Sequence, residues 1–391
     1  MSMQAQSLQT KASPFKTAQS IWNPTAIFDE VPDLRLTPTE VKGIQEKLPV
    51  APDGCYYADA VFEGGGVKGT AFLGALRCFN DAGIQFRKVA GTSAGAITAA
   101  MVAAGFSIEQ LEAIMADLDY MKDLLNKKSS FWIWNGSPAD DLQGFQMIKM
   151  LMNLLLVRRK GQYSSEPFKT WLSKHLAKRD MVNFSALSQE KSTEWYHKRD
   201  LKVVVSDISQ KAMRVLPHDL KEHYGEEPES FEIAEAVRLS MSIPLFFEPG
   251  KLGQSIIVDG GLLSNFPLWI FDAPLGVKPK CPTFGFQLTE AENSKPITGA
   301  HHVFGSMIAT MQVARDKHYL HQTDKGRVVN IDTGTISATK FDLDTVDKQT
   351  LYLAGYEAAK DFLVNRWDWE AHLQERQGVN REAVGAAQSI S

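Results

Sequence analysis

Gly91-Thr92-Ser93-Ala94-Gly95 sets one serine between two glycines. The residues before it, Phe86 to Ala90, read as a strand. Those after it, Ala94 to Ala104, are alanine-rich and read as a helix. A strand that turns directly into a helix has no room for bulk on either side of the turn. Glycine at 91 and 95 meets that constraint and leaves Ser93 at the apex. Strain pushes such a hydroxyl outward, and the helix N-terminus behind it favours developing negative charge. The chemistry this offers is nucleophilic attack on an acyl carbon. The plain alternative is a Gly/Ser turn with no chemistry, and the pentapeptide alone does not decide between them.

A second glycine cluster lies one strand earlier. Tyr56 to Glu63 reads as a strand, Gly64-Gly65-Gly66-Val67-Lys68-Gly69 as a loop, and Thr70 to Asn80 as a helix with Phe72, Leu73, Leu76 and Phe79 at helical spacing. Loop N–H groups and the helix dipole then converge on one place, an anion-binding arrangement. In form the loop satisfies the dinucleotide fingerprint, but the next strand closes on Ser93 rather than on an acidic residue. A donor-rich loop beside such a serine is an oxyanion hole in waiting. Far downstream, Ser255 to Val258 reads as a strand that delivers Asp259-Gly260-Gly261 to its carboxyl end. A turn aspartate is the plain alternative for Asp259.

These loops need a frame, and the chain supplies one. Further strands are expected at Leu201–Ile208, with Ala212–Leu216 as its hairpin partner, at Thr283–Leu288 and at Arg327–Asp332. Helices are expected at Thr37–Lys47, Ser107–Leu118, Phe231–Met241, Gly299–Thr323 and Asp347–Trp367. Thr37 with Glu40, and Ser107 with Gln110, have capping-box spacing. Strands alternating with helices over some 300 residues predict a three-layer αβα sandwich with a largely parallel central sheet. We divide the chain into an extension, 1–56, a catalytic domain, 57–365, and a C-terminal tail, 366–391.

From Asp119 to Asp200 the regular pattern lapses, and we expect a helical insertion or lid over 119–200. Phe145 to Val157 is nearly all apolar, with Gln146, Lys149 and Asn153 on one narrow stripe and Arg158-Arg159-Lys160 at its end. From Phe145 to Arg179 there are eight Lys/Arg against one Glu. A buried helix with a basic end explains this. So does an interfacial lid that lays its apolar face on acyl chains or bilayer.

Composition narrows the classes. With 391 residues, 44% hydrophobic and 23% charged, the chain has ample core for a globular fold. A net charge of −4 argues against a dedicated nucleic-acid binder. Cys55, Cys78 and Cys281 form neither a disulfide framework nor a metal pair, and His318 with His321 lacks a third ligand at useful spacing, so no metal and no cofactor are expected. The first 20 residues have no apolar core of a signal peptide, and no run is long enough to span a membrane. A cytoplasmic or peripheral-membrane location is expected, with signal-less export left open.

Gly-Gly-Gly-Val-Lys-Gly at 64–69, Gly-Thr-Ser-Ala-Gly at 91–95 and Asp-Gly-Gly at 259–261 together resemble the marks of the patatin-like phospholipase family, in order and spacing. The passage Ala236 to Pro244, with Phe247 and Pro249 after it, is similar as well. The resemblance covers Ala58 to Pro267 closely and runs more loosely to Asp361. It implies a Ser–Asp dyad hydrolase of lipid acyl esters, of phospholipase A or lysophospholipase type. Ser93 would be the nucleophile and Asp259 the proton acceptor. Gly65 and Gly66 would form the oxyanion hole, with Lys68 as the family's basic residue there, neutralising the oxyanion or a lipid phosphate unless it is simply a solvated lysine. Gly64, Gly69, Gly91, Gly95, Gly260 and Gly261 would shape the loops. The implied partners are a phospholipid or other acyl lipid and a membrane surface; a protein activator is an open partner class. Two alternatives stand beside this one. The first is a triad esterase on soluble esters that recruits His301, His302, His318 or His321, which follow Asp259 in Ser–Asp–His order. The second is a non-catalytic lipid- or partner-binding module on the same scaffold.

Overall fold

The computed structural model describes residues 22–120, 161–188, 193–274, 277–290, 326–338 and 340–374. Its strands are β1 (Tyr56–Phe62), β2 (Ile84–Thr92), β3 (Gly161–Tyr163), β4 (Asp200–Asp207), β5 (Ala212–Leu216), β6 (Leu245–Phe247), β7 (Gly250–Leu252), β8 (Ser255–Asp259), β9 (Thr283–Thr289) and β10 (Val328–Asp332). The helices are α1 (Ala26–Glu30), α2 (Pro38–Glu46), α3 (Ala71–Asp81), α4 (Ala94–Ala103), α5 (Ile108–Asp117), α6 (Glu166–Ala177), α7 (Leu220–Tyr224), α8 (Ile233–Ser240) and α9 (Thr345–Asp361). Both capping boxes form, Thr37 with Glu40 and Ser107 with Gln110. The helix expected at 299–323 and the apolar segment 145–160 lie outside the described residues, as does most of the insertion expected over 119–200. Its described part holds a regular helix, α6, which the sequence pattern does not mark.

An eight-stranded sheet runs in the order β10-β9-β1-β2-β4-β8-β7, with β5 also paired to β4. The strands from β10 through β4 are mutually parallel, which is the expected parallel core. β5 and β8 each pair antiparallel with β4, and β7 pairs antiparallel with β8, so the sheet is mixed. Alternation along the parallel strands builds a core on each face. Ala58, Ala60, Phe62, Val89, Phe284, Phe286, Val329 and Ile331 point to the larger one, shared with α3, α4 and α9. Val61, Ala90 and Val328 point to the other, where Phe266 and Leu268 close over them. The architecture is α/β with a helical layer on the larger core.

The described part of the N-terminal extension lies against α9. Trp22 and Phe28 meet the Tyr352 ring edge-on, and Phe28 also contacts Tyr356. Beyond α9, Trp367, Trp369 and Leu373 are buried, so the first residues of the segment read as a tail are core residues.

One detail of this topology decides where chemistry can occur. β5 occupies one edge of β4 over Val203–Asp207. β2 and β8 therefore share the opposite edge, β2 pairing with it as far as Thr92↔Val204 and β8 from Asp207↔Ile257 back to Val205↔Asp259. The two strands run toward each other and meet end to end at consecutive rungs. Residue 93 has nowhere to go along the sheet, so the chain must turn there, directly facing Asp259.

Candidate active site

Ser93 sits at that turn with φ 53° and ψ −122°, and α4 begins at the next residue. A non-glycine residue at positive φ is strained by about 1–3 kcal/mol and persists only where its surroundings impose it. Here the imposition is visible. A Cβ at Gly91 would lie 2.2 Å from the Gly95 carbonyl carbon, so the strand end and the helix start approach closer than any other residue pair permits. Ser93 is 6% exposed, which leaves its hydroxyl to its neighbours rather than to bulk water.

Its partner is Asp259, the last residue of β8, 5% exposed. The Ser93 hydroxyl stands near enough to the Asp259 carboxylate to favour its charged form, and the Gly261 N–H donates to Asp259 Oδ1 at 2.7 Å. Burial pushes the carboxyl up to about 6, against the smaller opposing pull of those two neighbours. Ordinary aspartate is too weak a base for a serine, and desolvation is what strengthens this one. In an open sheet, sites form at the carboxyl ends of parallel strands. Asp259 reaches the same level from the opposite direction, at the end of an antiparallel strand.

The glycine loop stands against the elbow. The Cβ position of Gly64 lies 3.3 Å from Ser93 Cβ. Gly64 N–H donates to the Asn265 carbonyl at 3.1 Å, and Asn265 Nδ2 donates back to the Gly64 carbonyl at 3.0 Å and to Glu63 Oε1 at 3.2 Å. Glu63 Oε2 in turn accepts the Leu288 N–H at 2.6 Å. Thr92 Oγ1 donates to the Ser264 carbonyl at 3.1 Å. The segment that follows Asp259 thus clips both the elbow and the loop. Among the described residues neither Gly65 nor Gly66 finds an acceptor for its N–H. Lys68 is buried rather than solvated, its ammonium 2.7 Å from Glu290 Oε1.

Gly66 takes φ 57°, and a Cβ there would lie 2.1 Å from the Ala338 carbonyl oxygen. That same carbonyl accepts the Val67 N–H at 3.0 Å, so it cannot retreat without losing a bond. Gly66→Ala should cost about 1–2 kcal/mol from the backbone alone and displace the loop. The expected result is a lowered melting temperature together with at least a tenfold loss of esterase activity, read by thermal denaturation and initial rates. A variant with wild-type rates would show that the loop's position is irrelevant to the chemistry.

The structure brings together Ser93, Asp259, the 64–69 loop and Gly260-Gly261. His301, His302, His318 and His321 lie outside the described residues, and among those described no histidine hydrogen-bonds Ser93 or Asp259. Also among the described residues, no His, Cys, Asp and Glu side chains gather in a group of three that could hold a metal. No described helix is long and apolar enough to cross a membrane. The sequence gives no role to Asn265, Glu63 or Ser240. Asn265 carries one readable signal, its place six residues after Asp259 and two before Pro267; a glutamate just after a strand and a serine ending a helix carry none.

The model of the patatin-like phospholipase family matches residues 60–272, which run from the end of β1 through the glycine loop and the elbow to beyond the Asp259 turn. The chain belongs to the patatin-like phospholipase family, a membership that implies a hydrolase of ester bonds. The uncharacterized protein YqhO of Bacillus subtilis is 34% identical over 320 residues, covering 80% of this chain and all of its own length. The uncharacterized protein R571 of Acanthamoeba polyphaga mimivirus is 23% identical over 317 residues, 77% of this chain and 92% of that one. Among solved structures, VipD from Legionella pneumophila aligns at TM-score 0.49 and 18% identity, covering 82% of this chain and 70% of that chain. ExoU from Pseudomonas aeruginosa, solved as a heterodimer with SpcU, aligns at TM-score 0.41 and 19% identity, covering 81% of this chain and 52% of that one.

Proposed function

We propose that this protein is a lipid acyl hydrolase of phospholipase A or lysophospholipase type that works through a Ser93–Asp259 dyad. The observation that carries the reading is the end-to-end meeting of β2 and β8 on one edge of β4, which sets the buried Ser93, at its turn, against the buried Asp259. Ser93 Oγ attacks the ester carbonyl while its proton passes to Asp259, giving a tetrahedral intermediate. The N–H groups of Gly65 and Gly66 hold the oxyanion, a role open to them because no protein acceptor among the described residues takes them. Collapse expels the alcohol, which takes the proton from Asp259 and leaves an acyl-enzyme. Water then attacks that ester, Asp259 accepts its proton, and the fatty acid departs as Ser93 is reprotonated. Lys68, committed to Glu290, anchors the loop at the far end of β9 in this scheme. The substrate is a lipid presented at a membrane surface.

The base must be ionised to act, so kcat/KM should fall as pH drops through about 6. Mixed phospholipid and lysolipid vesicles incubated across pH 4.5–8, with released fatty acid measured, test the scheme. Fatty acid release with an acid limb near pH 6 supports it. Hydrolysis confined to soluble esters, and abolished by alanine at one of the four downstream histidines, would establish the triad esterase instead. Absence of turnover and of fluorophosphonate labelling would leave a binding module.

A further inference from the structure

Ser240 ends α8 and is fully buried. Its hydroxyl accepts the Ser93 N–H at 2.9 Å and donates to the Val204 carbonyl at 2.6 Å. The place of this bridge in the sheet gives it meaning. The last rung between β2 and β4 is Thr92↔Val204, and the next partner, Val205, already belongs to Asp259. The Ser93 N–H is therefore the first donor of β2 that has lost its strand, in a site too dry to leave it unpaired. One hydroxyl inserted between that N–H and the Val204 carbonyl completes the ladder at the length the turn requires. The same carbonyl also seats the turn after Asp259: a Cβ on Gly260 would lie 2.2 Å from the Val204 oxygen. One oxygen atom on α8 thus ties the peptide of Ser93 to the carbonyl on which the Asp259 turn rests.

We propose that Ser240 is a positioning residue that fixes the Ser93 hydroxyl against the Asp259 carboxylate and withdraws the Ser93 N–H from the oxyanion site. This rests on the reading of Ser93 and Asp259 as the reacting pair. Without the bridge, the Ser93 peptide is free to rotate, and its hydroxyl no longer points steadily at the carboxylate. Asp259 then loses the Ser93 hydroxyl as one of the two neighbours that favour its charged form, so its proton is held more tightly. Burial, the Ser93 hydroxyl and the Gly261 N–H are the influences on that carboxyl. The ionisable side chains of the adjoining elements are engaged elsewhere, Asp207 of β4 with the Tyr224 hydroxyl and Arg238 of α8 with Glu235.

The test compares wild type, Ser240→Ala, Ser240→Cys and Asp259→Asn on a short monomeric ester, with kcat and KM followed across pH 4.5–8. Ser240→Ala should lower kcat at least tenfold, leave KM within twofold, and move the acid limb of kcat/KM above its wild-type position near pH 6. Ser240→Cys keeps a weak donor and acceptor at the same place and should recover part of the rate and part of the limb. A role confined to the scaffold predicts a lower melting temperature with the limb unmoved, and that result would overturn the proposal. Should Ser240→Ala fail to fold, Ser240→Cys decides alone: a displaced limb supports the bridge and an unmoved limb with wild-type kcat refutes it. Asp259→Asn separates the two levels of the argument. If it stays active, the dyad reading fails. If it is inactive while both Ser240 variants match wild type in kcat and limb, only the role of Ser240 fails.

Discussion

Ser93→Ala is expected to yield a folded protein with ester hydrolysis reduced about a thousandfold or more and no labelling by a fluorophosphonate probe. The direction follows from the position of the residue: Ser93 stands at the elbow where β2 ends against Asp259 of β8. Folding should survive, because alanine keeps the backbone bond from Ser93 N–H to Ser240 and removes only the Oγ. The strain at φ 53° remains in that variant, since it belongs to any residue with a Cβ. Ser93→Gly makes the complementary measurement. It should be equally inactive yet more stable than Ser93→Ala by about 1–3 kcal/mol, the range for a strained non-glycine residue. Labelling that persists in Ser93→Ala would place the nucleophile on another serine. Equal stability of the Ala and Gly variants would mean that the turn stores no strain.

The motifs carried most of the site because each encodes a backbone constraint rather than a preference. Gly91 and Gly95 are required by a contact of 2.2 Å, and Gly66 by a positive φ against a fixed carbonyl, so their types and spacing are readable without coordinates. The parallel strands were legible for a related reason: strands buried on both faces, such as Val203-Val204-Val205, read as continuous apolar runs. Strand direction was not legible in the case of β8. Its five residues look the same in either orientation, and its antiparallel pairing is with β4, about 50 residues away in sequence. The positioning side chains were hidden for another reason. Ser240 and Asn265 act through contacts 147 and about 200 residues away in sequence, and no local pattern distinguishes such a serine from a solvated one. α6 was passed over because its buried face, Phe168, Leu172 and Leu176, is narrow and set among charges that face α8, as in the Lys169–Glu232 and Lys169–Glu235 pairs.

Asp259→Asn should cost on the order of a thousandfold in turnover and, at the same time, stabilise the fold. The loss follows from the removal of the carboxylate that lies beside the Ser93 hydroxyl. The gain follows from the same burial that makes the base useful. The carboxyl titrates near 3.8 when exposed and is pushed up to about 6 in the folded protein. Between those values the native state holds a proton that the unfolded chain releases, so wild-type stability falls as pH rises through that window and levels off above it. Above pH 7 the buried charge costs on the order of 2–3 kcal/mol, from about 1.4 kcal/mol per pKa unit. Asparagine avoids that cost, keeps an oxygen for the Gly261 N–H, and offers its amide to the Ser93 hydroxyl as acceptor. The melting temperature of Asp259→Asn should therefore exceed that of wild type at pH 8, and the difference should hold to just above pH 6 and then shrink toward pH 4. Activity and stability measured on this one variant thus report on one carboxylate from two sides. A constant difference across that range would show that Asp259 carries no buried charge, and undiminished turnover would remove it from the chemistry altogether.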